Sequence, residues 1–166
     1  MKKVYIVTHG AYQENKPDPP LTPEGVEQMK SLKEFLPEKI DFVVSGIGKR
    51  HQQAFKILLG PRVPDLKSEP VGVRESLSPD QKELIFSNGK KVPIKEYMKT
   101  RYAQLQKSIS SFLREEVFEK EGENALIVGG RIAVMALGIQ DVKSGVLYIF
   151  DKNQKLIKTH EARGLS

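Results

Sequence analysis

Val4-Tyr5-Ile6-Val7-Thr8-His9-Gly10 is the stretch from which the fold can be read. Its first four residues are β-branched or aromatic with no polar alternation, the pattern of a buried strand, and Thr8-His9-Gly10 supplies the turn that ends it. A polar, proline-rich loop follows from Gln13 to Pro20. It leads into Leu21-Thr22-Pro23-Glu24-Gly25, where Thr22 is placed to cap a helix, Pro23 to take its first position and Glu24 to sit in its first turn. Val26, Met29, Leu32, Phe35 and Leu36 then recur at helical spacing.

The same alternation repeats downstream. Asp41-Phe42-Val43-Val44-Ser45 reads as a second buried strand, and after a short Gly-containing turn a helix runs from about Lys49 to Leu59. Strand, helix, strand, helix argues for parallel strands joined by crossover helices in an α/β domain. Val71-Gly72-Val73 is expected as a third short strand, and Ser76 to Lys91 is polar and turn-rich, broken by Ser78-Pro79-Asp80 and Asn88-Gly89. A long helix is predicted from about Ile94 to Phe118, with Ile94, Tyr97, Met98, Tyr102, Leu105, Ile109, Phe112, Leu113 and Val117 on one face. Its acidic continuation, Glu115 to Glu123, reads as solvated surface. Ala125 to Val128 is a further strand, Gly129-Gly130 a turn and Arg131 to Leu137 a short apolar helix. Gly145 to Phe150 and Leu156 to Thr159 flank Asp151-Lys152-Asn153-Gln154 as a closing hairpin. No repeat or linker divides the chain, so residues 1–166 read as one domain.

Composition narrows the classes. With 166 residues, 39% hydrophobic and 29% charged, the chain holds material for a sizeable core and is not of the disordered type. It contains no cysteine, which excludes disulfides, thiolate nucleophiles and Cys-ligated metal sites. The apolar run after Lys2-Lys3 stops at Thr8, too short for a signal sequence or a membrane span. A cytoplasmic protein without membrane association is the expectation. The formal charge of +6 permits an anionic partner without choosing one. Only seven of the 27 basic residues are Arg. Lys90, Lys91, Lys95 and Lys99 belong to no recognisable nucleic-acid module, so nucleic acid is not the expected partner.

The chemistry-bearing residues gather by position. His9 follows the first strand, Ser45 to Arg50 the second, Glu75 the third, and Gly129-Gly130 the next. The ends of parallel strands converge on one crevice, so these loops are expected to line a common site. A histidine there, beside a carboxylate and a basic cluster, could serve as nucleophile, base or phosphate ligand. His51 is expected on a helix surface and His160 in the C-terminal tail. Neither has metal-ligand spacing to a partner, so no metal and no cofactor is expected.

In these landmarks the chain resembles the histidine phosphatase superfamily, with its phosphoglycerate-mutase-like fold. That family's Arg-His-Gly after the first strand is matched by Thr8-His9-Gly10, and its Leu-Thr-x-x-Gly-x-x-Gln stands as Leu21 to Gln28. Its Ser-Pro-Leu-x-Arg-Ala-x-Gln-Thr-Ala falls on Ser45 to Ala54, its acidic Leu-x-Glu on Val73-Arg74-Glu75, and its Ser-His-Gly on Gly129-Gly130-Arg131. The resemblance implies a three-layer α/β/α sandwich around a mostly parallel sheet. It also implies that His9 takes the phosphoryl group and Glu75 protonates the leaving oxygen, with Thr8, Lys49, Arg50, Gly129, Gly130 and Arg131 around the phosphate.

The departures bear on activity. Thr8 replaces an arginine, Gly130 a histidine, and the count from both Ser45 and Ala54 places Lys49, a point charge without a guanidinium fork, where the family has its second arginine. Gly129-Gly130 and the helix behind them could supply a backbone anion nest instead. Each lost electrostatic contact removes about 10²–10³ in rate. The implied function is a degenerate member, inactive or very weak, that binds a phosphorylated small molecule or a phosphoprotein. The alternative is an active phosphomonoesterase working through a phosphorylated His9; phosphoglycerate mutase action fits this short chain less well.

Overall fold

The computed structural model describes residues 1–14, 16–72, 83–85, 88–97, 99 and 103–163. The opening run forms β1 (Lys3–Thr8), followed by α1 (Pro23–Leu32), β2 (Phe42–Ser45) and α2 (Lys49–Leu59). Next come the short strand β3 (Leu66–Lys67), a separate hairpin of β4 (Glu83–Ile85) and β5 (Lys91–Pro93), and the helices α3 (Ile94–Tyr97) and α4 (Ala103–Phe112). The last elements are β6 (Asn124–Gly129), α5 (Arg131–Met135), β7 (Val146–Asp151) and β8 (Leu156–Glu161). Their main sheet has the order β3-β2-β6-β1-β7-β8. β1, β2, β3 and β6 run parallel, β7 is antiparallel to β1, and β7 and β8 form the hairpin anticipated from their turn residues.

The continuous apolar runs feed two cores, one on each face of the sheet. Val4 and Ile6 pack with Val44, Ile127, Leu105, Ile109 and Leu113, whereas Tyr5 and Val7 pack with Val43, Leu126, Met29, Leu32, Phe55 and Leu58. Burying each such aliphatic side chain contributes about 1.5–3 kcal/mol. The helices α1 and α2 therefore cover one face, and α4 and α5 the other, in an α/β/α arrangement. Among the described residues no helix is long and apolar enough to cross a membrane.

Three expectations change. Of the expected strand Val71-Gly72-Val73, Val71 and Gly72 are not in a strand and Val73 lies outside the described residues; Leu66–Lys67 pairs with β2 instead. The Val71 and Gly72 carbonyls accept from Gly130 N–H and Ile47 N–H, so this segment crosses between loops rather than joining the ladder. The polar stretch up to Lys91 supplies β4 and the turn that leads into β5, with Asn88 Oδ1 accepting from Lys90 N–H and Gly89 at φ +86°. Along the predicted long helix, α3 and α4 are helical, Lys99 between them is π-helical, and α4 continues into a π-helical turn, Leu113–Phe118, where Glu119 N–H bonds to Arg114 O. Tyr97, Leu105, Ile109, Leu113 and Val117 are buried as their spacing requires, and Met98 and Tyr102 lie outside the described residues.

The strand order positions the site. β6 lies between β1 and β2, with Thr8 opposite Gly129 and Ser45 opposite Val128. The loops leaving the three carboxyl ends are thus side by side.

Candidate functional site

The Leu21–Gln28 motif is a clamp on the loop after β1. Thr22 Oγ1 accepts from Gly25 N–H at 3.1 Å and caps α1. Gln28 Oε1 accepts from Ala11 N–H at 2.8 Å, while the Ala11 carbonyl receives Thr22 N–H at 3.0 Å. The helix comes so close that a Cβ at Gly25 would lie 2.0 Å from Ala11 O, and one at Gly10 would lie 2.6 Å from Gly25 O. Neither position has room for a side chain.

This clamp holds the carbonyl that orients His9. His9 is buried, and its Nδ1 lies 2.9 Å from Gly10 O. A carbonyl only accepts, so Nδ1 carries the proton and Nε2 the lone pair. Arg50 Nε–H donates to that Nε2 at 3.2 Å. Burial first, then the positive charge of Arg50, lowers the His9 pKa to about 3; Arg131 adds to the shift and the Gly10 hydrogen bond opposes it. Tyr12 completes the wall, edge-on to His9 at 5.2 Å between ring centres, with the Arg50 guanidinium carbon 5.4 Å from its ring centre.

The counted match on Lys49 is displaced by one residue. Lys49 is exposed and its backbone N–H donates to Asp18 Oδ1 at 2.9 Å, whereas Arg50 is 3% exposed and faces His9. The cation of the crevice on α2 is therefore Arg50. His51 is likewise not a surface residue: it is fully buried, with its ring centre 5.1 Å from that of His9. Both lie on the helical face that continues through Ala54, Phe55 and Leu58. That periodicity was the signal in the sequence, three and four residues ahead of Ala54.

Two other expected phosphate contacts are committed elsewhere. The Thr8 hydroxyl donates to Lys143 O at 2.7 Å and accepts from Val146 N–H at 3.0 Å, so it ties β1 to the start of β7. Gly130 N–H donates to Val71 O at 3.0 Å, and a Cβ at Gly129 would meet the same oxygen at 2.2 Å. These glycines admit a neighbouring backbone, and the Gly130 amide is not part of an anion nest. Arg131 is half-buried at the start of α5 and acts on His9 electrostatically, which places its charge near the crevice. Glu75 lies outside the described residues.

Both site histidines are held neutral. The His51 pKa falls well below the ordinary value through burial first, then Arg50 and His9. Unfolded histidines titrate near 6.5, so below that pH the unfolded chain binds protons that the folded chain refuses. Stability conferred by neutral His9 is complete above about pH 6.5 and is lost on acidification toward its folded value of about 3. Each such histidine costs up to about 1.4 kcal/mol per pH unit in that window. Urea midpoints should fall clearly between pH 7 and pH 5; a flat profile would contradict the neutral pair.

Comparison with known proteins agrees with this architecture. The profile of the histidine phosphatase superfamily (branch 1) matches residues 4–140. No curated protein matches by sequence. Among solved structures, TTHB049 from Thermus thermophilus is similar at 17% identity and TM-score 0.67, over 96% of this chain and 99% of that one. A candidate alpha-ribazole-5'-P phosphatase from Escherichia coli K-12 is 18% identical at TM-score 0.64, over 99% and 98% of the two chains. A phosphoglycerate mutase, also from Thermus thermophilus, is 17% identical at TM-score 0.62, over 95% and 97%. At such identities the likeness speaks for the fold alone.

Proposed function

The chain belongs to the histidine phosphatase superfamily, and from that premise we propose that it binds a phosphomonoester, on a small molecule or a protein, and turns it over very slowly or not at all. The observation that carries the reading is the hydrogen bond from Arg50 Nε–H to His9 Nε2. Attack on phosphorus needs the Nε2 lone pair, because Nδ1 is protonated and bonded to Gly10 O. A guanidinium already occupies that lone pair, and a pKa of about 3 marks it as weakly basic. Binding is better served than chemistry. Arg50 and Arg131 supply positive charge beside His9, while the Thr8 hydroxyl is turned to β7 and Gly130 carries no imidazole.

One observation favours an active phosphomonoesterase as the second reading. The Gly10 carbonyl selects the tautomer in which Nε2 is the attacking atom. In that version Arg50 moves onto the phosphoryl oxygens and frees the lone pair. The N–P bond forms as the ester P–O bond breaks, Glu75 gives its proton to the departing oxygen, and water then releases phosphate from His9.

The two readings separate in one experiment. Orthovanadate should raise the thermal midpoint of the wild type, p-nitrophenyl phosphate hydrolysis should be no faster than in His9→Ala, and no phosphohistidine should be trapped. Hydrolysis abolished by His9→Ala would transfer the conclusion to the phosphomonoesterase.

A further inference from the structure

The imidazole of His51 has one settled nitrogen and one orphan. Gly48 N–H donates to Nδ1 at 3.1 Å, so Nδ1 holds the lone pair and the ring proton resides on Nε2. That Nε2–H is buried and, among the described residues, has no hydrogen-bond partner. Leaving such a donor without an acceptor is unfavourable, because its bonds to water are lost and nothing replaces them. A buried orphan donor in a native structure calls for an acceptor that arrives from outside.

Its surroundings indicate which acceptor. Three glycines from three different loops enclose the ring: a Cβ at Gly46 would lie 2.8 Å from Cγ, and one at Gly72 3.0 Å from Cδ2 and Cε1. At Gly130 the added Cβ would be 3.7 Å from Nε2, so the orphan N–H lies at the edge of the space that this missing side chain leaves. The His9 ring stands edge-on beside it at 71°, and Arg50 and Arg131 both bring positive charge to that ring. A neutral donor beside a ring on which two guanidiniums act suits an acceptor with several oxygens and negative charge.

We propose that His51 Nε2–H is a fixed donor to an oxygen of the bound phosphoryl group and, with Arg50 and Arg131, forms a tetrahedral-oxyanion site beside His9. The inference rests on the phosphoryl-binding reading of the crevice and deepens it. Because Gly48 N–H occupies Nδ1, the ring donates only; it is a binding and positioning residue and takes no proton from the ligand. The helix that presents it is anchored by the same contact, His51 reaching back from the first turn of α2 to the residue that precedes it.

Sodium tungstate, a tetrahedral dianion, is the probe. It is titrated by calorimetry into wild type, His51→Asn and His51→Gln, and the His51 ring N–H is followed by nitrogen-15 NMR in the wild type. Asparagine keeps an acceptor for Gly48 N–H and ends short of the Nε2 position; glutamine reaches that position with an N–H. His51→Asn should weaken tungstate roughly tenfold or more, and His51→Gln should recover most of the loss. In the wild type the Nε2–H resonance should move downfield and become protected from exchange as tungstate binds. Equal affinity in all three proteins, or an Nε2–H resonance that tungstate leaves unmoved, overturns the role of His51 and leaves the crevice reading standing. Failure of the wild type to bind tungstate removes the crevice reading itself, and this inference with it.

Discussion

Gly25→Ala is expected to lower stability by about 3 kcal/mol or more, a large share of the ~5–15 kcal/mol that holds a domain of this kind together. The new Cβ would lie 2.0 Å from Ala11 O and 3.0 Å from Ala11 C, both backbone atoms that no rotamer change can move aside. Relief requires α1 and the Gly10–Ala11 segment to separate. That separation stretches the bonds of Ala11 O with Thr22 and of Ala11 N–H with Gln28. Glu27→Ala, two residues along on the exposed side of the same helix, removes only a surface ion pair with Lys30 at 3.1 Å and should cost under about 0.5 kcal/mol. Urea midpoints of the two variants make the comparison. If they agree, the close approach is not what the glycine is for. The damage should also reach His9, since the carbonyl of Gly10 that fixes its tautomer rides on the displaced segment.

The contrast between Gly25 and Arg50 explains what the sequence made legible. β1, α1, β2, α2 and the closing hairpin could be read because each is specified locally: an unbroken apolar run, a Thr22-Pro23 helix start, a turn of Asp151 to Gln154. The crevice loops could be placed because strand ends in a parallel sheet converge. What could not be read by counting was the register of α2. A motif count fixes a residue to within one position, but on a helix one position is about 100° of rotation, enough to exchange exposed Lys49 for buried Arg50. His51 was obscured by its company. It sits in the polar run Lys49 to Gln53, which reads as solvated surface. It is buried because Gly46, Gly72 and Gly130 together leave a space of its shape. Those glycines lie far apart in sequence, and only the tertiary fold brings them around one ring. The role of Thr8 is hidden for a similar reason: its partners, Lys143 and Val146, come from β7 and the loop before it, more than a hundred residues later.

Arg50→Met should weaken tungstate or phosphomonoester binding on the order of 100-fold and also lower ligand-free stability by about 1–3 kcal/mol. The two halves have different causes. A guanidinium that faces an incoming oxyanion gains charge-assisted hydrogen bonds when the anion arrives, so its loss weakens the complex. In the ligand-free protein the substitution removes the donor to buried His9 Nε2, while methionine refills much of the volume. Arg50→Lys should fall between, because a point charge does not reproduce a planar fork. Lys49→Met, at an exposed position, should change affinity little. The His9 ring offers an independent readout. Its pKa should rise in Arg50→Met, since the second cause of its depression is gone, yet stay below 6.5, because burial is the larger cause and persists. An NMR titration of His9 follows this directly. Unchanged affinity together with an unchanged His9 pKa would separate Arg50 from the site. A raised pKa with unchanged affinity would keep it beside His9 and assign the ligand to other groups.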